Sequence, residues 1–215
     1  MSEAAPNEGG NSRLISRHVL EGYRRERIFL AVAELAHEAG SDTLTTTRIV
    51  KGGRMSRNTF YELFANKAEC LDLACEFATD RLLAAIRGTR PETGEWRERL
   101  DRAVSALLEA VSAEPMIAEL CLVHTSSIST RGAELGVDPV IETLAEVIED
   151  GGAEAGGAGR ESTRGLSEFV AATIVSIVVG RVRRGEAGEL AQLQGELKEL
   201  AARLWSEPAE RVGTP

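Results

Sequence analysis

The sequence is 215 residues long, 43% hydrophobic, 27% charged and only 4% aromatic, with a net charge of −9. Those fractions suffice for the buried core of one large domain or two small ones, and they exclude a disordered chain or a collagen-like fibre. Three cysteines, Cys70, Cys75 and Cys121, are too few and odd in number for a disulfide framework, which places the chain in a reducing cytoplasm.

Residues 1–12 are polar and acidic without an apolar h-region, so they predict a disordered tail rather than a targeting signal. Ile28, Val32, Leu35, Ala36 and Ala39 then recur at three and four, one face of a helix that stops at Gly40. Two short helices follow. One spans Thr45 to Gly52, its threonines capping free N–H groups, and the other spans Ser56 to Phe64 with Ser56 as N-cap. Gly52–Gly53 supplies a tight turn between them, and Ile49 and Phe64 are expected in the core. Leu71, Ala74, Ala78, Leu82 and Ala85 mark a second long helix, opened by Asn66 with Glu69 three residues on and closing near Gly88–Pro91.

Leu100, Val104, Leu107, Leu108 and Val111 give a third, ended before Pro115; Met116–Ser127 gives a fourth, and Val140, Leu144, Val147 and Ile148 another. Residues 151–159 hold five glycines in nine positions, a flexible loop. Beyond it, one helix runs through Phe169, Ile174, Ile177 and Val178 to Arg184, and a last one carries Leu190, Leu193, Leu197, Leu200 and Leu204 at spacings of 3 and 4. That seam is too short for a free coiled coil and predicts packing in a bundle. The longest uninterrupted apolar run, Phe169 to Gly180, is twelve residues. A bilayer crossing takes about 20, so the run predicts a buried helix and no membrane partner.

Two short helices joined by a glycine turn inside a three-helix unit form a helix-turn-helix, whose second helix enters the DNA major groove with its N-terminal residues toward the base edges. Arg57, Asn58 and Thr59 occupy that first turn; arginine suits guanine and asparagine suits adenine. With Thr45, Thr47, Arg48, Tyr61 and Lys67, which reach phosphates, they make the candidate DNA-contact set. Charge follows the same division. Residues 13–67 hold ten basic and six acidic side chains, a local +4, whereas residues 68–215 carry −11. Arg13, Arg17, Arg24, Arg25 and Arg27 are further candidates for phosphate contact or for a merely solvated surface.

Residues 45–71, TTTRIVKGGRMSRNTFYELFANKAECL, resemble the DNA-binding domain of the tetracycline-repressor (TetR) family of transcriptional regulators. Thr45, Ile49–Val50, Ser56, Thr59–Phe60–Tyr61, Phe64, Lys67 and Leu71 carry the likeness, which extends over residues 20–72. The turn departs from the family pattern: Gly53–Arg54–Met55 stands where Ala-Gly-Val is usual. Either the turn shifts by one residue to use Gly53, or Arg54 takes the left-handed conformation that a side chain resists.

No segment alternates polar and apolar like a strand, so the chain is expected to be all-α with about nine helices: a three-helix DNA-binding domain over 13–66, then a larger helical domain over 67–208, regulatory by the resemblance, with a flexible loop at 151–161 and a tail at 209–215. The resemblance implies an inducer site and a homodimer formed through the last two helices, residues 162–184 and 187–205. The expected dimer residues are Phe169, Thr173, Ile174, Ile177, Arg181, Leu193, Leu197, Leu200 and Leu204. Candidate walls for an apolar small-molecule inducer are Trp96, Leu107, Met116, Leu120, Cys121, His124 and Phe169, each equally at home in a core. Cys121 and His124, three apart, make at most half a metal site, so no metal and no cofactor are expected. Cys70 and Cys75, five apart on a helix, point in different directions and predict no disulfide.

The expected function is a ligand-responsive repressor binding a palindromic, double-stranded operator as a cytoplasmic homodimer. A small helical enzyme is the alternative class, but the sequence has no Gly-rich phosphate loop and no nucleophile elbow. A helical adaptor that does not bind DNA would not require the Arg57–Asn58–Thr59 face.

Overall fold

The computed structural model describes residues 8–89, 96–132, 134–154, 160–200 and 203, and the described residues include no strand. The expected tail 209–215, the centre of the glycine loop and Leu204 lie outside them. The chain divides into two compact units, with the break inside one long helix between Ala74 and Cys75 rather than at residue 66.

In the first unit α1 (Glu8–Ala39) begins four residues inside the expected tail. A short 3-10 turn, Ser41–Thr43, leads to α2 (Thr46–Gly52), α3 (Arg57–Leu63) and the first turns of α4 (Lys67–Arg87). Asn66 Oδ1 accepts the Glu69 N–H at 2.9 Å, and the Glu69 carboxylate reaches back to the Ala65 N–H, so the opening of α4 is capped from both sides. The core of this unit is Ile28, Val32, Ile49, Phe60 and Phe64, with Leu44, Cys70 and Leu71 around them. Phe64 lies 5.1 Å from Phe60 and 6.0 Å from Phe29, centroid to centroid. Each such side chain contributes about 1.5–3 kcal/mol by leaving water, which fixes three short segments in one arrangement.

The second unit continues α4 and adds α5 (Trp96–Ala113), α6 (Pro115–Glu119), a π-helical turn (Leu120–His124), α7 (Thr125–Ile128), α8 (Val137–Glu154) and α9 (Arg160–Arg183). The single helix expected over Met116–Ser127 is thus three pieces, because a wide turn interrupts the α register. Likewise the glycines at 151 and 152 continue α8, so the expected loop 151–161 is narrower at both ends. A 3-10 segment, Ala187–Leu193, and a helical stretch over 194–200 replace the expected last helix.

α8 and α9 pack together, and α5 packs against α8 and the 3-10 segment. The Ser112 hydroxyl donates to the Ala187 carbonyl at 3.0 Å, tying that segment down. The inner face of α9 is Val170, Ile174, Val175, Val178 and Val182. By length and composition Arg164–Arg183, with a mean hydropathy of 1.6, is apolar enough to cross a membrane once the charged flanks of the twelve-residue run are counted. Of that stretch 39% is buried in the protein, and the core helix of a soluble protein has the same character.

Candidate nucleic-acid interface

Caps set the two short helices. Thr45 Oγ1 accepts the Arg48 N–H at 3.3 Å, and Ser56 Oγ accepts the Thr59 N–H at 3.0 Å while lying 2.9 Å from Thr59 Oγ1. Each bond satisfies a donor that a helix start leaves open. Seven residues give α3 two faces. Phe60 and Leu63 point into the core; Arg57, Asn58 and Tyr61 are exposed. Arg57 and Tyr61 are one helical turn apart and therefore neighbours on that outer face. The Tyr61 ring, 49% exposed, stands edge-on to Phe60 at 5.4 Å. The Arg57 and Asn58 side chains make no hydrogen bond or ion pair with any described residue. A rigid helix thus presents two planar hydrogen-bonding groups and a phenol to solvent, the chemistry that reads base edges and phosphates.

The other expected contacts divide. Thr45 and Thr47 are exposed at the start of α2, and Thr59 is half-buried in the Ser56 cap. Arg48 and Lys67 are occupied within the unit: an Arg48 guanidinium nitrogen donates to the Thr43 carbonyl at 3.3 Å, and Lys67 Nζ to the Leu44 carbonyl at 3.1 Å. Both cations therefore brace the 3-10 turn in front of α2. Of the arginines ahead of the reader, Arg25 covers the Phe64 ring at 5.6 Å and donates to the Leu63 carbonyl at 3.2 Å. Arg27 donates through Nε to Gly53 O at 2.8 Å and through Nη2 to Arg54 O at 3.2 Å. These two hold α3 and the turn ahead of it, a role that sequence alone does not disclose because the partners lie 26–38 residues away. The side chains of Arg13 and Arg17 lie outside the described residues.

The turn itself keeps its register. The Arg54 N–H donates to Lys51 O at 3.1 Å and the Met55 N–H to Val50 O at 3.2 Å, the paired closure of a helix whose next residue is left-handed. That residue is Arg54, with φ of 49°, the one non-glycine positive φ among the described residues. Gly53 is needed for a different reason. Its φ is −70°, but a Cβ there would sit 2.3 Å from Ile28 Cδ1, so its hydrogen lets α1 pack against the turn. The left-handed conformation at a non-glycine costs about 1–2 kcal/mol.

The expected inducer residues differ in exposure. Leu107, Leu120 and Cys121 are fully buried, whereas Met116 is 40% and Phe169 58% exposed. The Trp96 side chain lies outside the described residues. His124 Nε2 lies 3.3 Å from the Glu119 carboxylate, and no group of three possible metal ligands occurs among the described residues. Burial pushes the Cys121 thiol up to about 12, against a smaller lowering by its contact with Thr79. A thiol held protonated in this way is a poor nucleophile at ordinary pH. A cleft of about 210 Å³ does open beside α4, α5 and α6, lined by Leu82, Ala110, Ala113, Ile117 and the Arg81–Glu114 ion pair.

The expected dimer residues also differ in exposure. Ile174 and Leu197 are buried within the unit. Arg181 pairs with Glu186 at 3.0 Å across the turn that follows α9. Phe169 is exposed, while Thr173, Ile177, Leu193 and Leu200 are half-buried.

A capped pair of short helices on a braced turn, followed by a larger helical bundle, is the architecture of the TetR-like transcriptional regulators, and the chain has their fold. The solved structures it resembles include the fatty acid degradation regulator FadR from Bacillus halodurans, at a TM-score of 0.71 and 19% identity over 83% of this chain and 94% of that one. A tetR-family regulatory protein from Rhodococcus RHA1 gives 0.68 at 20% identity over 84% and 96%, and FadR from Bacillus subtilis in complex with stearoyl-CoA gives 0.69 at 16% over 82% and 96%. No family profile and no curated protein sequence matches the chain.

Proposed function

We propose that this chain is a TetR-type transcriptional regulator, a repressor rather than an enzyme, that binds a palindromic operator in the cytoplasm as a homodimer. Its release would come from a small apolar molecule in the second unit. The observation that carries the reading is the outer face of α3: Arg57, Asn58 and Tyr61, exposed on a capped helix whose other face is locked in the core. The local charge of +4 over residues 13–67 supports it, since phosphate attraction acts within a Debye length, about 10 Å, and not on the whole-chain charge.

For the inducer, the cleft beside α4, α5 and α6 is the proposed entry. Its volume of about 210 Å³ is below the ~300–1,000 Å³ of drug-sized pockets, so a ligand would widen it by parting the Arg81–Glu114 pair. Stearoyl-CoA in the Bacillus subtilis structure makes fatty acyl-CoA the first class to screen. Thermal-shift measurement suits that screen, because a ligand that prefers the folded state raises its melting temperature.

A mobility-shift assay on the DNA flanking the chain's own gene tests the function. A salt-sensitive, sequence-specific shift is expected. Arg57→Ala should weaken it by about 1–3 kcal/mol, roughly 5- to 150-fold, with the circular dichroism unchanged. Unchanged binding by both Arg57→Ala and Tyr61→Ala would place the reader elsewhere. No shift on any palindrome would overturn the reading.

A further inference from the structure

We propose that Arg54 is a phosphate contact of the DNA-bound state, a cation placed on the turn ahead of the recognition helix. The inference rests on the reading of the first unit as a DNA reader.

Three observations lead to it. First, Arg54 occupies the left-handed position that closes α2, with φ of 49°, where a glycine would be relaxed. Backbone strain of this kind persists only where surrounding structure imposes it, and it concentrates at functional sites. Here the imposing group is visible. Arg27 grips the carbonyls of both Gly53 and Arg54, and Gly53 is held in a right-handed conformation against Ile28, so the left-handed step falls on residue 54.

Second, the Arg54 side chain takes no part in holding the unit together. Its backbone N–H and carbonyl are bonded, but its guanidinium makes no hydrogen bond, ion pair or ring contact with any described residue. That contrasts with Arg25, Arg27, Arg48 and Lys67, which all bond to carbonyls of the same unit.

Third, its place in the chain suits a phosphate contact. Arg54 is two residues ahead of the Ser56 cap and three ahead of Arg57, and Lys51, Arg54 and Arg57 are all exposed. When the first turn of α3 sits against base edges, the loop feeding that turn lies beside the backbone flanking them. A guanidinium there makes charge-assisted bonds to phosphate, which position the protein and carry no sequence information.

A purely structural role is the competing account: a cation at the carboxyl end of α2 interacts favourably with the helix dipole. The salt dependence of DNA binding separates the two. Each neutralised phosphate contributes about 0.9 to the slope of log affinity against log salt, whereas a helix-dipole role contributes nothing to it.

The experiment uses the full chain and a labelled mixed-sequence duplex about three helical turns long, titrated by fluorescence anisotropy over a range of salt. Non-specific binding is driven by phosphate contacts, so the operator need not be known. Arg54→Gly, which suits the left-handed position, should bind more weakly at low salt, with a slope shallower by about 0.9 for each protomer docked, about 1.8 for a dimer with both readers on the duplex. Arg54→Lys, which keeps the charge and the strain, should retain the wild-type slope. Circular dichroism checks that both variants are folded. A wild-type slope in Arg54→Gly overturns the assignment while leaving the DNA reading intact. A wild-type protein that does not bind the duplex at any salt overturns the DNA reading, and this contact with it.

Discussion

Cys121 lies fully buried beside Thr79, with its Sγ 3.6 Å from the threonine hydroxyl, and burial is the main reason its thiol titrates near 12 instead of 9.0. The folded chain therefore holds this proton over a pH range in which the unfolded chain has released it. Where the folded state binds more protons, stability falls as pH rises. The loss begins near pH 9 and continues toward pH 12, at up to about 1.4 kcal/mol per pH unit for this one group. Urea unfolding at pH 8, 9 and 10 checks it. Lysines and tyrosines also titrate there, so the informative quantity is the difference between wild type and Cys121→Ala. The variant should lose less stability over that interval; parallel curves would show that Cys121 ionises as readily folded as unfolded. At the same scale, the turn shows the limit of sequence reasoning. Arg54 was visible as an anomaly, but two registers satisfied the sequence equally. The choice was made by the side chain of Ile28, which leaves no room for a Cβ at residue 53, and by Arg27, 26 positions away from Gly53.

Among the elements, the π-helical turn over Leu120–His124 is where the second unit departs most from a plain helical reading. Its Cys121 carbonyl would lie 3.0 Å from a Cβ at Gly136, whose φ of 82° also demands glycine. Thr79 on α4 joins these parts. Its hydroxyl donates to the Cys75 carbonyl at 2.9 Å and accepts the Gly136 N–H at 3.0 Å, all of it buried. Thr79→Val keeps the shape but strands that N–H away from water, so it should cost about 1–3 kcal/mol in urea unfolding. A loss below ~0.5 kcal/mol would mean that the Gly136 amide finds another partner. Stripes were legible in the long helices, because burial repeats every 3.6 residues; Ile28, Val32, Leu82, Val104 and Leu144 are all buried as their spacing predicts. The π turn was not, since one wide turn leaves no mark in composition. Nor was the direction of α9. A helix apolar on nearly every side does not say which side its own unit covers, and Ile174 went inward while Phe169 stayed out.

At the scale of the molecule that outward side becomes a question of assembly. Phe169, Thr173 and Ile177 recur every four residues along α9, on the row beside the Val170–Ile174–Val178 face that packs inside the unit. A phenylalanine 58% exposed beside a half-buried isoleucine has apolar surface left to cover. A second copy of the same helix, related by a two-fold axis, would cover it with an identical surface. Phe169→Glu should therefore convert a dimer to a monomer in sedimentation at micromolar concentration without loss of helicity, since the ring is not part of the core. The same variant links assembly to function. Two readers on one operator gain about 100-fold or more from effective concentration, and a monomer forfeits that gain while keeping its half-site contacts. Operator affinity should fall by that factor, whereas non-specific binding per reader should barely change, because the +4 region is untouched. The net charge of −9 lies outside residues 13–67, which carry +4. A Phe169→Glu protein that still sediments as a dimer would move the interface off this face of α9, and a wild type that sediments as a monomer would remove the two-fold premise.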